Sequence, residues 1–283
     1  MQRSGMTAIQ PTESAVTNKF GPFFLAMGLA LVAGATPTAA FSQPAPLCDD
    51  PIAASQEPRL KGSIVKVSDG DTIHFLTDET NLSGTSQGTG DSQASGPVRL
   101  KVRMTGMDTP ELHLPVPGGI ASQGYWAEQA WHRLEELLPI GDRAELVDYG
   151  KDHYGRTLGR VYHQGKDVHV TMIAEGLAAL YLICSGPSCN ANFYKVNKVK
   201  EYVEACRVAV DGDLGIFEPT SGLDELPFEF RLRKQKREAD KWIGDMTTKR
   251  LYPPREYNRV PVCDRLFFPV RAEAEALGYQ LQE

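Results

Sequence analysis

Apolar and polar residues alternate on both sides of Asp69-Gly70, with Val65 and Val67 leading in and Ile73 and Phe75 leading out. An Asp-Gly pair between such runs predicts a tight hairpin, because both residues accept the backbone conformations that two-residue turns require. A second period-two run follows. Val98, Leu100, Val102 and Met104 fall on one side and Arg99, Lys101 and Arg103 on the other, predicting a strand with one core face and one cationic face. Between the two lies 78–97, almost wholly Gly, Ser, Thr, Asp and Gln, which is expected to form a surface loop. Its Asn81-Leu82-Ser83 is a glycosylation sequon in a eukaryotic host.

The period then changes. Ala127, Ala130, Trp131, Leu134, Leu137 and Leu138 make an apolar helix stripe within 122–138, stopped by Pro139. Short strands are expected near 143–148 and 157–163, the latter turning at Gln164-Gly165. Val168, Met172, Ile173 and Leu177 predict a second helix. Val196, Val199, Val203, Cys206 and Val210 predict a third, ending before Gly212. Short strands interrupted by helices point to a small barrel with helical packing. From Pro219 the texture shifts to the charge-rich FEFRLRKQKREADKW and a final Ala/Glu helix near 271–277. Residues 219–283 therefore read as a small C-terminal accessory module, an α/β appendage whose removal should leave the chemistry of 58–218 intact.

The first forty residues stand apart from this pattern. Phe20 to Ala35 is continuously apolar behind Lys19, with small-residue cleavage candidates at Ala33-Gly34-Ala35 and Thr38-Ala39-Ala40. That is the layout of a signal peptide. Pro22, Gly28 and Gly34 suit a spanning helix poorly. Residues 1–40 are thus a signal peptide or signal anchor and 41–57 a linker, placing the bulk of the chain in a secreted, periplasmic or cell-envelope location. Cleavage is the expected fate, and an uncleaved segment would act as a membrane tether.

Composition adds two constraints. At 41% apolar and 23% charged residues, the chain can bury a core and is neither a disordered tail nor a fibre. Its formal charge of −6 argues against non-specific coating of nucleic acid, which depends on excess Lys and Arg. Between Arg231 and Arg259, however, ten Lys/Arg face four Asp/Glu; acidic residues interleave, and over 231–250 a solvated helix face is expected rather than a substrate-tethering patch. The five cysteines, Cys48, Cys184, Cys189, Cys206 and Cys263, suit an oxidising compartment. Cys184 and Cys189 flank a tight turn and are the first expected pair, while Cys263 offers a staple for the C-terminal module.

Three short stretches carry candidate chemistry: Asp69-Gly70-Asp71-Thr72, Arg103 through Glu111, and Asp152-His153-Tyr154-Gly155-Arg156. Taken singly, each is ordinary turn or helix-start chemistry; Asp108-Thr109-Pro110-Glu111 would suit the opening of a helix. Together they are a different object. Asp71, Asp108 and Thr109 offer hard oxygen donors suited to calcium. Arg103 and Arg156 are forked permanent cations of the kind that grip phosphate oxygens. Glu111 is a carboxylate able to take a proton from water. A hard cation, two guanidiniums and one base suit attack on a phosphodiester.

The ordered set Asp-Gly-Asp-Thr, Arg-x-x-Gly-x-Asp-Thr-Pro-Glu and Asp-x-Tyr-Gly-Arg, followed by Glu175-Gly176-Leu177-Ala178 and Gly215-Ile216-Phe217, resembles the staphylococcal nuclease (thermonuclease) family over about 58–218. The resemblance implies a mainly β (α+β) fold, a five-stranded OB-fold barrel with three helices. It implies a Ca2+-dependent nuclease that cuts DNA and/or RNA and leaves 3′-phosphate ends. By motif position Asp71, Asp108 and Thr109 would hold the metal, Arg103, Arg156 and Glu111 would be catalytic, and Tyr154 would lie near the substrate phosphate. His153 stands where the type member has lysine, and Tyr181 is the candidate base-stacking platform. The module from 219 lies outside the resemblance and is expected to bind no metal. A monomer is the expected state. The competing reading is an OB-fold module that binds nucleic acid or protein with little catalysis. The joint presence of both arginines, the base and the metal carboxylates favours the enzyme.

Overall fold

The computed structural model describes residues 58–78, 96–185 and 198–282. The apolar N-terminal segment, the linker, nearly all of the polar loop expected at 78–97, and Cys48 and Cys189 lie outside the described residues.

The Asp-Gly hairpin joins β1 (Leu60–Asp69) to β2 (Thr72–Thr77), and the cationic strand is β3 (Arg99–Met104). The three pair antiparallel in order, and β1 also pairs β7 (Arg143–Lys151), which pairs β8 (Thr157–His163). A parallel pairing of β3 with β8 closes these five strands into a barrel. Ile73, Phe75, Val102, Met104, Leu146 and Val161 fill it. Bulges after Ile64 and Val67 shift the register of β1, so Ile64 rather than Val65 joins the core.

Between β3 and β7 the chain forms β4 (Gly106–Asp108), a hairpin of β5 (Leu114–Val116) and β6 (Gly119–Ala121), and α1 (Tyr125–Leu137). Asp108-Thr109-Pro110-Glu111 therefore ends a strand and does not open a helix. Ala127, Ala130 and Leu134 of α1 are buried at the predicted helical spacing. After the short β9 (Lys166–Asp167), α2 (Val168–Ala174) starts on the Asp167 cap, whose carboxylate accepts from the His169 N–H. Contrary to expectation Leu177 lies beyond α2. Gly176 sits at φ +68°, where a Cβ would stand 2.2 Å from the Leu214 carbonyl oxygen, and its own carbonyl accepts from Ile216 N–H at 2.8 Å.

β10 (Ala179–Ile183), α3 (Lys198–Asp211) and a 3-10 turn (Gly215–Phe217) complete the barrel domain, giving it three α-helices among the described residues. The C-terminal region adds α4 (Pro227–Lys234), β11 (Trp242–Asp245), β12 (Arg250–Tyr252), β13 (Arg265–Phe268), α5 (Arg271–Ala276) and β14 (Gln280–Leu281). These do not stand apart. One sheet runs β14-β12-β11-β13-β10-β4, crossing the boundary expected at 218/219. Leu182 and Ile183 of β10 pair in parallel with Leu266 and Phe267 of β13, and Cys184 N–H donates to the Phe267 carbonyl at 2.8 Å. A disulfide links Cys206 of α3 to Cys263, so the C-terminal staple exists and binds the module to the barrel domain. Cys184 is also disulfide-bonded, and its partner lies outside the described residues.

Candidate active site

The strand pairings set the site. Arg103 lies opposite Thr72 of β2 and beside Leu158 of β8, which brings the β1–β2 turn and the start of β8 to the same barrel end. Gly70 lets the turn approach the end of β4: a Cβ there would meet Thr109 Oγ1 at 2.7 Å and the Ala130 side chain at 3.0 Å. Asp71 accordingly reaches across, its Oδ2 accepting the Thr109 N–H at 3.3 Å and its Oδ1 the Thr72 hydroxyl at 3.1 Å.

Arg103 is the centre of this cluster. Its guanidinium pairs with Asp71 and donates to Asp108 Oδ1 at 2.7 Å. Asp71, Asp108 and Thr109 are all buried, Asp108 completely. Two buried carboxylates thus converge on one cationic group. Such a pair is tolerated away from water only when compensated by positive charge and hydrogen bonds.

The second compensating cation comes from a place the sequence did not indicate. Arg231 of α4 donates through Nη1 and Nη2 to Asp108 Oδ1 and Oδ2 at 2.7 and 2.8 Å, and through Nη1 to Glu111 Oε1 at 2.6 Å. Burial would raise the Asp108 carboxyl pKa, but the guanidiniums of Arg231 and Arg103 outweigh it and hold the group below the usual range. Glu111 goes the other way: burial and the nearby Asp108 charge raise it against the pull of Arg231. Its backbone is fixed by Gln123, whose Oε1 accepts the Glu111 N–H at 3.0 Å and whose Nε2 donates to the Glu225 carbonyl at 3.1 Å. Arg231 corrects the expectation of a solvated face over 231–250. It follows Phe228 by three positions and Pro227 by four, on the buried side of α4. A cation on an apolar stripe was the available signal.

The remaining predicted residues sit at the rim or behind the site. Arg156 is held by Asp152, whose Oδ2 accepts from Nε at 2.8 Å and whose Oδ1 accepts the Arg156 N–H at 2.8 Å. Arg156 acts on the turn through its charge, which together with Arg103 opposes the burial that raises Asp69. Tyr154 is exposed at 71%, with the Arg156 guanidinium 5.6 Å from its ring centre. Tyr181 is half-buried, not an open platform: its ring stacks on Phe228 at 5.6 Å and lies 4.8 Å from Phe267.

Beneath the site, His169 ties the corner between β3 and β4 to β8. Its Nδ1 lies 2.8 Å from the Thr105 carbonyl and its Nε2 accepts from Val161 N–H at 3.0 Å, which fixes a neutral ring protonated on Nδ1. Burial pushes its pKa down to about 3 from 6.5. The folded ring resists the proton that the unfolded chain accepts, so its contribution is complete above pH 6.5 and is lost as pH falls toward 3. The loss is about 1.4 kcal/mol per pH unit over that window. Denaturant melts at pH 7, 5.5 and 4 should show a shallower acid decline for His169→Gln than for the parent chain. Parallel declines would exclude His169 as the titrating group.

A closed five-strand barrel with buried carboxylates and arginines gathered at one end defines an OB-fold nuclease-like architecture. Residues 101–205 match the family described as staphylococcal nuclease homologue. It is 29% identical over 239 residues to the protein named endonuclease YhcR of Bacillus subtilis, covering 83% of this chain and 18% of that protein. It is 30% identical over 118 residues to an uncharacterized endonuclease of Haemophilus influenzae, covering 42% of this chain and 51% of that one. Over 84 residues it is 29% identical to the staphylococcal-like nuclease CAN1 of Arabidopsis thaliana, 30% of this chain and 23% of that one. The chain thus spans about half or less of the length of these relatives.

Among the described residues, no three His, Cys, Asp or Glu side chains are placed to hold a metal by themselves. The donor set nonetheless fits calcium. Asp71 and Asp108 converge on the Arg103 cation, and the Thr109 backbone lies beside Asp71. Backbone, water and phosphate oxygens would complete the roughly six to eight ligands calcium takes.

Proposed function

We propose that this chain is a calcium-dependent nuclease that hydrolyses phosphodiester bonds of DNA and/or RNA, leaving 3′-phosphate ends. The observation that carries the reading is the buried junction in which Arg103 joins Asp71 and Asp108 while Glu111 stands one guanidinium away. The match of residues 101–205 to the staphylococcal nuclease homologue family supports it, as do the relatives named endonucleases.

Asp71, Asp108 and the Thr109 carbonyl are the metal donors. Bound calcium would stabilise charge on the phosphoryl oxygens. Glu111 accepts a proton from the attacking water; its burial makes it a stronger base than an exposed glutamate. Arg103 and Arg156 donate to the phosphoryl oxygens as charge builds there, Arg156 swinging from Asp152 to do so. Tyr154 lies exposed beside Arg156, where a phosphate approaching from solvent would meet its hydroxyl. Tyr181, stacked beneath Phe228, contributes to substrate binding only through the wall it forms with that ring. The apolar segment at 20–35 and the Cys206–Cys263 disulfide support an exported chain, tethered to the membrane if the segment is retained.

The test is cleavage of single-stranded DNA and of RNA by the purified chain with calcium and with chelator. Cleavage with calcium and none with chelator is expected. Undiminished activity in chelator would remove the metal from the reading, and tight binding without cleavage would favour the non-catalytic OB-fold module.

A further inference from the structure

Resting on the calcium-nuclease reading, we propose that Arg231 is an internal counter-cation of the active site, which competes with the divalent cation for Asp108 and must leave when calcium enters. The argument begins with the oxygen atoms. A carboxylate offers about four acceptor positions. Asp108 already spends three on guanidinium hydrogen bonds, Oδ1 on Arg103 and Arg231 and Oδ2 on Arg231. Calcium binds carboxylate oxygens at roughly 2.3–2.6 Å, so a bound cation would compete with the guanidinium fork for the same oxygens of Asp108 and repel it. Arg231 also holds Glu111, so the contact that guards the metal donor also engages the proton acceptor.

The backbone carrying Arg231 is fixed while its side chain has somewhere to go. The first turn of α4 is capped by Glu229, whose Oε2 accepts the Leu226 N–H at 2.9 Å, and Phe228 packs against Tyr181, Tyr257 and Phe267. Next to this aromatic group lies a cavity of ≈ 60 Å³ lined in part by Tyr181, Phe228, Arg231 and Tyr257. The Arg231 guanidinium carbon is already 5.8 Å from the Tyr181 ring centre. An aromatic face is a favourable resting place for a released guanidinium. The C-terminal region thereby acts on the barrel's chemistry without supplying a metal ligand.

The experiment is calorimetric titration of the full chain with calcium chloride in the absence of nucleic acid. Arg231→Gln should bind calcium at least 10-fold more tightly than the parent. Arg231→Lys, which keeps a charge but loses the two-pronged grip, should bind at least 3-fold more tightly. Arg233→Gln removes the same charge from the same helix at an exposed pair with Glu225 and should stay within 2-fold. Unchanged or weaker affinity in Arg231→Gln overturns the proposal, and so does equal tightening in Arg233→Gln, which would reduce it to overall charge. If Arg231→Gln does not fold without calcium, Arg231→Lys decides in the same way. Asp71→Asn separates the two readings: if the parent binds calcium and this variant does not, the metal site stands whatever Arg231 does.

Discussion

Deleting residues 219–283 should abolish both the cooperative fold and the nuclease activity, the latter by at least roughly 10³-fold, the scale of losing a catalytic arginine. On the sequence alone the opposite was expected, because the family resemblance stops near 218. Three losses coincide in the truncated chain. β10 forfeits its parallel partner β13, so Leu182 and Ile183 lose the strand beside them and β10 becomes an edge. Cys206 loses the disulfide that anchors α3. Asp108 loses two of its guanidinium hydrogen bonds. Stripping one partner from a buried ion pair costs about 3–5 kcal/mol, and each large apolar side chain newly exposed costs a further ~1.5–3 kcal/mol. A domain's whole stability is about 5–15 kcal/mol. Circular dichroism melts beside a cleavage assay would test this. A truncated chain that melts cooperatively and cleaves at the parent rate would show that the C-terminal sheet is dispensable.

That contrast shows where sequence reading succeeds and where it stops. The hairpin at Asp69-Gly70, the two-faced strand at 99–104 and the stripe of α1 rest on neighbours within a few residues, and their periodicity carries them. The site residues from three separate stretches were legible as a kit because each residue type has narrow chemistry. The pairing of β10 with both β4 and β13 depends on segments more than 70 residues away, to which local pattern is blind. Arg231 reaches Glu111 across 120 positions, from inside a run whose alternating charges look like a solvated surface. Burial of Tyr181 followed from the same omission, since the ring that covers it, Phe228, belongs to the region set aside as an appendage. Gly176 was visible as a residue, yet only the approach of Leu214 explains why α2 must end before it.

Replacing either proposed catalytic arginine with alanine should lower turnover by roughly 10³-fold or more, with unequal consequences for stability. Arg103 bridges two buried carboxylates, so Arg103→Ala leaves Asp71 and Asp108 less compensated and should destabilise the calcium-free protein by about 3–5 kcal/mol. Arg103→Lys should not restore it, because a single ammonium cannot match a planar fork spanning two acceptors. Arg156 pairs with Asp152 at the rim, within one turn and partly open to solvent, and such pairs contribute about 0–1 kcal/mol. Arg156→Ala should therefore melt close to the parent while losing turnover, since its charge is needed only as the phosphoryl group develops negative charge. Denaturant melts in chelator and single-turnover cleavage in calcium, run on the same preparations, separate the two. Retained turnover in Arg156→Ala would leave Arg103 as the sole guanidinium acting on the phosphate. An Arg103→Ala protein as stable as the parent would mean that the acidic pair does not depend on that guanidinium for its place in the core.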